Sequence, residues 1–325
     1  MSSAEAGYYL DSFLAPLAPF LARPGVTDIW INRPGEIWLE SLGGGIERIE
    51  ESALDAALLE RLARQIAAFS SQGISRAQPL LAATLPDGSR IQVAAPPATR
   101  EGHAFAIRRH VSADLSLADW EEADAFADVE VGHEDLAGER RFRALTGREA
   151  AQYLRESVRA RRNILVSGGT STGKTTFLNA LLAEIPPEER LILIEDTAEL
   201  HLRHPNAVGL IAARGELSEA RTNAEDLLIA ALRMRPDRII LGELRGVEAL
   251  TFLRAVNTGH PGSMTTIHAD TPQRAIEQLA LLVLQAGSKL SRDDVRHYVR
   301  ESVDLFVQLE RCGGRRQVSQ VLVAN

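Results

Sequence analysis

Residues 163 to 176 read Asn-Ile-Leu-Val-Ser-Gly-Gly-Thr-Ser-Thr-Gly-Lys-Thr-Thr, and this stretch leaves the chain few folds to choose from. Asn163–Val166 has the composition of a short buried strand. From Thr175 onward Phe177, Leu178, Leu181 and Leu182 recur at helical spacing. Between them lies G-x-x-x-x-G-K-[ST], its fixed positions filled by Gly168, Gly173, Lys174 and Thr175. The glycines allow a tight turn whose N–H groups converge on a polyphosphate. The helix start behind the turn adds partial positive charge. Lys174 is expected to reach the β- and γ-phosphates, and the Thr175 hydroxyl to bind Mg²⁺. The loop as a whole, Gly168, Gly169, Thr170, Ser171, Thr172, Gly173, Lys174, Thr175 and Thr176, is therefore expected to bind a nucleoside triphosphate. The ordinary alternative, a flexible Gly/Thr turn, does not predict a strand before it and a helix after it.

The residues around this loop repeat its pattern. Thr146 is placed to cap a helix running to about Arg161 with Ala150, Tyr153, Leu154 and Val158 inward. Short apolar runs then alternate with helices: 163–167, 191–195, 208–212, 238–241, 264–267, 303–309 and 317–323. Such alternation predicts an α/β unit, a largely parallel sheet flanked by helices, over residues 143–325.

Residues 1–116 read differently, as a small α+β domain. Tyr8, Leu10, Phe13, Leu14, Leu17 and Phe20 predict a helix ending near Pro24-Gly25. A hairpin is expected over 27–39 around Arg33-Pro34-Gly35. A second helix is expected from a capping start at Ser52 and Asp55, with Leu54, Leu58, Leu62, Ile66 and Phe69 along one face. Strands at 80–85, 90–94 and 104–110 complete a small sheet. Between the two domains the apolar pattern dissolves into Glu121, Glu122, Asp124, Asp128, Glu130, Glu134, Asp135 and Glu139, so residues 117–142 read as a solvated acidic linker.

Composition bounds the setting. No run of about 18 apolar residues predicts a transmembrane segment, and the start Met-Ser-Ser-Ala-Glu lacks a secretory signal. Cys312 is the one cysteine, which excludes an internal disulfide and a cysteine-built zinc site. These features point to the cytoplasm. A net charge of −8 argues against a stable nucleic-acid site.

In a parallel sheet of this kind, ligands sit beyond the carboxyl ends of the strands. There the sequence supplies the phosphate loop; Glu195 and Asp196 with Glu199 beyond; Gly242, Glu243 and Arg245; and His268. Glu243 is the expected catalytic carboxylate that orients the attacking water. Glu195 is expected to hold the metal shell, through water, and His268 to sense the γ-phosphate beside Thr265 and Thr266. Gly242 stands where an Asp usually ends the strand beside a phosphate loop, so the metal is expected to rest more on Thr175 and water. Each residue also has an ordinary reading, as a solvated acid at a strand end or a histidine bonding its neighbours. His260, in the turn Gly259-His-Pro-Gly262, is open between the two.

Four motifs together resemble one family, the secretion ATPases of type IV secretion and conjugation machines within the type II/IV secretion superfamily. They are Gly168–Thr176 as Walker A, Leu193-Ile-Glu-Asp-Thr-Ala-Glu-Leu200 as the acidic box, Arg235–Arg245 as the Walker B region with its Gly-Glu ending, and Thr258–Ala269 as the histidine box. The resemblance implies a RecA-like P-loop motor domain, a homohexamer, and Mg-dependent ATP hydrolysis that powers export of DNA or protein, or pilus biogenesis. It implies a place at the cytoplasmic face of a bacterial inner membrane beside other secretion-channel components. It further implies arginines of the N-terminal domain at the γ-phosphate, matched by Arg90 and Arg108. If Phe105 and Ile107 face the core, Arg109 turns inward with them and Arg108 turns out. A pilus assembly or retraction motor shares the four motifs, and a nucleic-acid motor is the more distant alternative.

Overall fold

A computed structural model describes residues 10–41, 45–109, 114–134, 140–212 and 222–324. They fall into two units, residues 10–109 and residues 114–212 with 222–324.

The first unit is built on a six-stranded sheet. Its strands are β1 (Val26–Ile31), β2 (Glu36–Ser41), β3 (Ile46–Glu50), β4 (Leu80–Thr84), β5 (Arg90–Ala94) and β6 (Ala104–Arg108), in the order β3-β2-β1-β6-β5-β4. All neighbours run antiparallel. The hairpin expected around Arg33-Pro34-Gly35 forms there, β4 and β5 make a second one, and Gly35 and Gly88 in their turns lie at φ +84° and +83°. β3 was not foreseen, because Ile-Glu-Arg-Ile-Glu leaves its side chains mostly exposed and so carries only a weak apolar pattern. Within the described residues the first expected helix is two pieces, 10–14 and α1 (Ala18–Leu21). Pro16 and Pro19 lack the N–H groups that would have bonded back one turn, which explains the break. The second helix, α2 (Ala56–Phe69), starts on Asp55, whose carboxylate accepts from the Leu58 N–H at 2.7 Å. Ser52 lies outside the cap, and the buried face is Leu59, Leu62, Ala63, Ile66 and Ala67.

The second unit has nine strands. They are β7 (Val129–Glu134), β8 (Arg140–Leu145), β9 (Ile164–Gly168), β10 (Leu191–Glu195), β11 (Ala207–Ile211), β12 (Arg238–Leu241), β13 (Met264–Ile267), β14 (Leu305–Cys312) and β15 (Arg315–Val323). Their order is β11-β10-β12-β13-β9-β14-β15-β7-β8, parallel throughout except at β14–β15 and β7–β8. Alternate residues face opposite ways, so two cores form. Ile164, Val166, Leu191, Leu193 and Val307 pack with α3 (Leu117–Glu122), α4 (Gly147–Arg159) and α5 (Lys174–Leu182). Leu165, Ile192, Ile194, Leu241 and Phe306 pack with α6 (Ala224–Ala231), α7 (Glu248–Asn257), α8 (Pro272–Gln285) and α9 (Arg292–Ser302). A sheet covered on both faces needs near-continuous apolar strands, which is why these runs were easy to see.

The acidic linker is corrected. Much of 117–142 belongs to this second unit, although Asp135 and Glu139 lie outside the described residues. Ser116 and Asp119 form a reciprocal capping box for α3, and Leu117, Trp120, Ala125, Phe126 and Val129 are buried among the acids. β7 then pairs in parallel with β15, a strand at the other end of the sequence. Local patterning cannot reveal that pairing.

Candidate active site

β9 is buried along its length and delivers the loop to the carboxyl edge of the sheet. A β-carbon on Gly168 would stand 2.5 Å from Thr172 Oγ1 and 2.9 Å from the Leu309 carbonyl oxygen, so no side chain fits there. Gly173 caps α5 with φ +92°, in the left-handed region where glycine is at ease. Thr172 braces the loop from within, its Oγ1 donating to the Gly169 carbonyl at 2.9 Å.

Lys174 is buried and folds back over the loop. Its Nζ donates to the carbonyls of Gly168 and Gly169, each at 3.0 Å, and lies 3.2 Å from His268 Nδ1. An ammonium only donates, so Nδ1 acts as the acceptor in that contact; the ring's other nitrogen is Nε2. That nitrogen lies 2.9 Å from Glu243 Oε1. The other oxygen of Glu243 is held by Arg245, whose Nε donates to Oε2 at 2.7 Å and whose Nη2 also reaches it. Arg245 Nη1 stands 3.5 Å from Asp196 Oδ2. Groups from the ends of β9, β13, β12 and β10 therefore form one continuous polar chain: Lys174, His268, Glu243, Arg245, Asp196. Independent surface residues would not be strung together in this way.

Glu195 takes a different position. It is buried, and its Oε1 accepts from the backbone N–H groups of Glu199 and Leu200, each at 2.7 Å. One oxygen is thus committed to holding the acidic turn. Asn179 of α5 grips the same turn, its amide donating to the Glu199 carbonyl and its Oδ1 accepting from the His201 N–H. Gly242 sits against this carboxylate: a β-carbon there would be 3.4 Å from Glu195 Cγ and 3.5 Å from the Ile194 carbonyl oxygen. A side chain at the end of β12 would thus lie in ordinary contact with the neighbouring acid. His260 lies in the turn that leads into β13, opposite the phosphate loop, with Nδ1 3.2 Å from the Ala255 carbonyl oxygen.

In the first unit Arg90 and Arg108 are register partners on β5 and β6. Phe105 and Ile107 are buried, Arg108 is exposed, and Arg109 donates to the carbonyls of Arg23 and Val26 at 2.7 and 3.1 Å. Strand alternation separated the two arginines as expected. Sequence reasoning did not find Arg245 as a clamp on Glu243, Asn179 as a brace, or Gln308, whose Oε1 accepts from Ser167 Oγ at 2.6 Å. Arg245 grips a residue two positions away and Asn179 acts from a helix, while Gln308 reaches Ser167 only through the pairing of β14 with β9.

The family described as Type II/IV secretion system protein matches residues 142–320, more than half of the chain. The chain belongs to this family. It is a P-loop ATPase, as the four motifs implied. It is 37 % identical over 330 residues to the type IV secretion system protein VirB11 of Bartonella henselae, covering 95 % of this chain and 91 % of that one. The crystal structure of the VirB11 ATPase from the Brucella suis type IV secretion system, in complex with sulphate, is 34 % identical. It covers 99 % of this chain and 96 % of that one, with a TM-score of 0.50. The pilus retraction motor PilT with bound ADP shares the fold, with a TM-score of 0.59 at 19 % identity over 95 % of this chain and 82 % of that one.

Proposed function

We propose that this chain hydrolyses ATP to power export through a bacterial type IV secretion system, working as a homohexamer at the cytoplasmic face of the inner membrane beside other channel components. The observation that carries the chemical half of this reading is the contact series from Lys174 through His268 to Glu243. Lys174 compensates phosphate charge, Glu243 orients the attacking water, and His268 stands between them where loss of the γ-phosphate alters both contacts. Arrival of the phosphates gives Lys174 new acceptors in place of the two loop carbonyls and the ring nitrogen.

Thr175 lies partly exposed in the first turn of α5, where its hydroxyl fits one ligand position of Mg²⁺. A bound Mg²⁺ would supply positive charge against the phosphates at this position. Among the described residues no group of three His, Cys, Asp or Glu side chains is gathered to hold a metal on its own. Thr175, phosphate oxygens and water are the expected shell, with the second oxygen of Glu195 acting through water. No described helix is long and apolar enough to cross a membrane, so attachment to the bilayer is expected to run through partner proteins. The machine is proposed as type IV secretion rather than a pilus motor because identity to the VirB11 proteins is 34–37 %, against 19 % to PilT.

The test is Lys174→Ala. Circular dichroism and particle size should match the unaltered protein, since what is lost is phosphate charge compensation and not core. ATP turnover should fall below a tenth; a higher residual rate would refute the assignment.

A further inference from the structure

The polarity of the bound nucleotide follows from the order of the strands. β9 has β13 on one side and β14 on the other. Every acidic or imidazole group of the polar chain beyond Lys174 comes from the β13 side, from β13, β12 and then β10. The γ-phosphate therefore points that way. The nucleoside end must leave on the side of β14 and β15.

On that side a built surface is waiting. Leu309 is the register partner of Gly168, where β9 ends, while β14 continues to Cys312 and turns back through Gly313-Gly314 into β15. The hairpin thus projects about 10 Å past the carboxyl edge of the sheet, at roughly 3.3 Å per residue. Arg316 on the returning strand leans on the phosphate loop. A β-carbon added to Gly173 would lie 2.9 Å from Arg316 Cδ, 3.4 Å from its Nε and 3.5 Å from Trp120 Cη2. Trp120 is buried and fixed edge-on against Phe177 of α5, ring centroids 4.9 Å apart. The missing side chain at Gly173 thus leaves room beside the loop for both the Arg316 side chain and the edge of the Trp120 ring.

We infer that Arg316 is a nucleoside-recognising residue, its planar guanidinium lying against the purine of the bound nucleotide. This rests on the phosphate loop holding the nucleotide as described above. A guanidinium plane stacks on a π-face and adds a cation–π attraction, which a Lys ammonium on a flexible stem does not reproduce in the same geometry. Such a contact is shared by ADP and ATP and leaves the γ-phosphate untouched.

The experiment measures ADP binding by calorimetry, and inorganic pyrophosphate as a competitor, for the full-length protein and for Arg316→Ala and Arg316→Lys. Arg316→Ala should weaken ADP by about tenfold and leave pyrophosphate competition unchanged. Arg316→Lys should stay close to Arg316→Ala, and it provides the reading if the alanine variant does not fold. Unchanged ADP affinity would overturn the inference. So would an equal loss for ADP and pyrophosphate, or recovery by lysine, because either would make Arg316 a phosphate contact. If the unaltered protein bound neither ligand, the phosphate-loop reading itself would fall, and this inference with it.

Discussion

Glu243 offers its two oxygens to different partners, Oε1 toward His268 and Oε2 to Arg245. Arg245 holds Oε2 by hydrogen bonds, while Oε1 is buried beside the His268 ring without a hydrogen bond of its own, which leaves it open to a water in a fixed direction. Glu243→Gln keeps the shape and removes the charge. Nucleotide affinity is expected to stay within a factor of about three, while single-turnover hydrolysis falls on the order of 10²–10⁴-fold. Collapse of binding with an intact chemical step would instead make Glu243 a ligand or a brace. At this scale the sequence told most where a backbone needed a particular residue type. Gly168 and Gly173 announced the loop because nothing larger fits. Arg245 was legible as a group beyond the end of β12 but its grip on Glu243 was not, because an arginine two residues past a glutamate is ordinary until the end of β10 brings Asp196 alongside.

The first residue of β12 makes a similar point for whole elements. Arg238 is fully buried, donating from Nε and Nη2 to the two oxygens of Glu189 at 2.7 and 2.8 Å and from Nη1 to the Val158 carbonyl at 2.7 Å. It joins the end of α4, the turn before β10 and the start of β12 at the edge of the sheet opposite the phosphate loop. Arg238→Ala leaves Glu189 buried with Arg161, at 3.1 Å, as its remaining ion-pair partner, and is expected to destabilise the unit by about 1–3 kcal/mol, read by urea unfolding at pH 7. Hydrogen bonds from Arg238, against the opposing effect of burial, hold the Glu189 carboxyl below its ordinary value of 4.5. A carboxyl with a lowered native value stabilises the fold above the unfolded value and loses that contribution as pH falls through the native one. The gap between Arg238→Ala and the unaltered protein should therefore narrow as the medium is taken below about pH 4.5; a gap independent of pH would contradict the pairing. The apolar runs of β9, β10, β12 and β13 were legible because each is closed on both faces. The segment from α3 to β8 was not, because its few buried side chains are spaced among acids and its pairing partner lies at the far end of the chain.

Across the whole molecule, the family resemblance implies that Arg90 and Arg108 of the first unit meet the γ-phosphate, an expectation with a direct test. Their pairing across β5 and β6 sets two cationic side chains next to each other. Such a pair costs little in solvent and becomes favourable beside an anion. The double substitution to alanine should reduce the preference for a non-hydrolysable ATP analogue over ADP, measured by competition, since only the γ-phosphate meets these groups. An unchanged preference would leave them without a role in hydrolysis.

The pairing of β7 with β15 also sets a timetable for synthesis. Val131 meets Val321, about 190 residues later, and Val166 of the phosphate-loop strand meets Val307. On the ribosome the first unit can close while the rest is still being made. The ATPase unit cannot, because the strand beside its phosphate loop and the strand that receives β7 come after all its other described strands. Until β14 and β15 emerge, the nascent chain carries an open sheet with two unpaired edges, and the nucleotide site is unfinished.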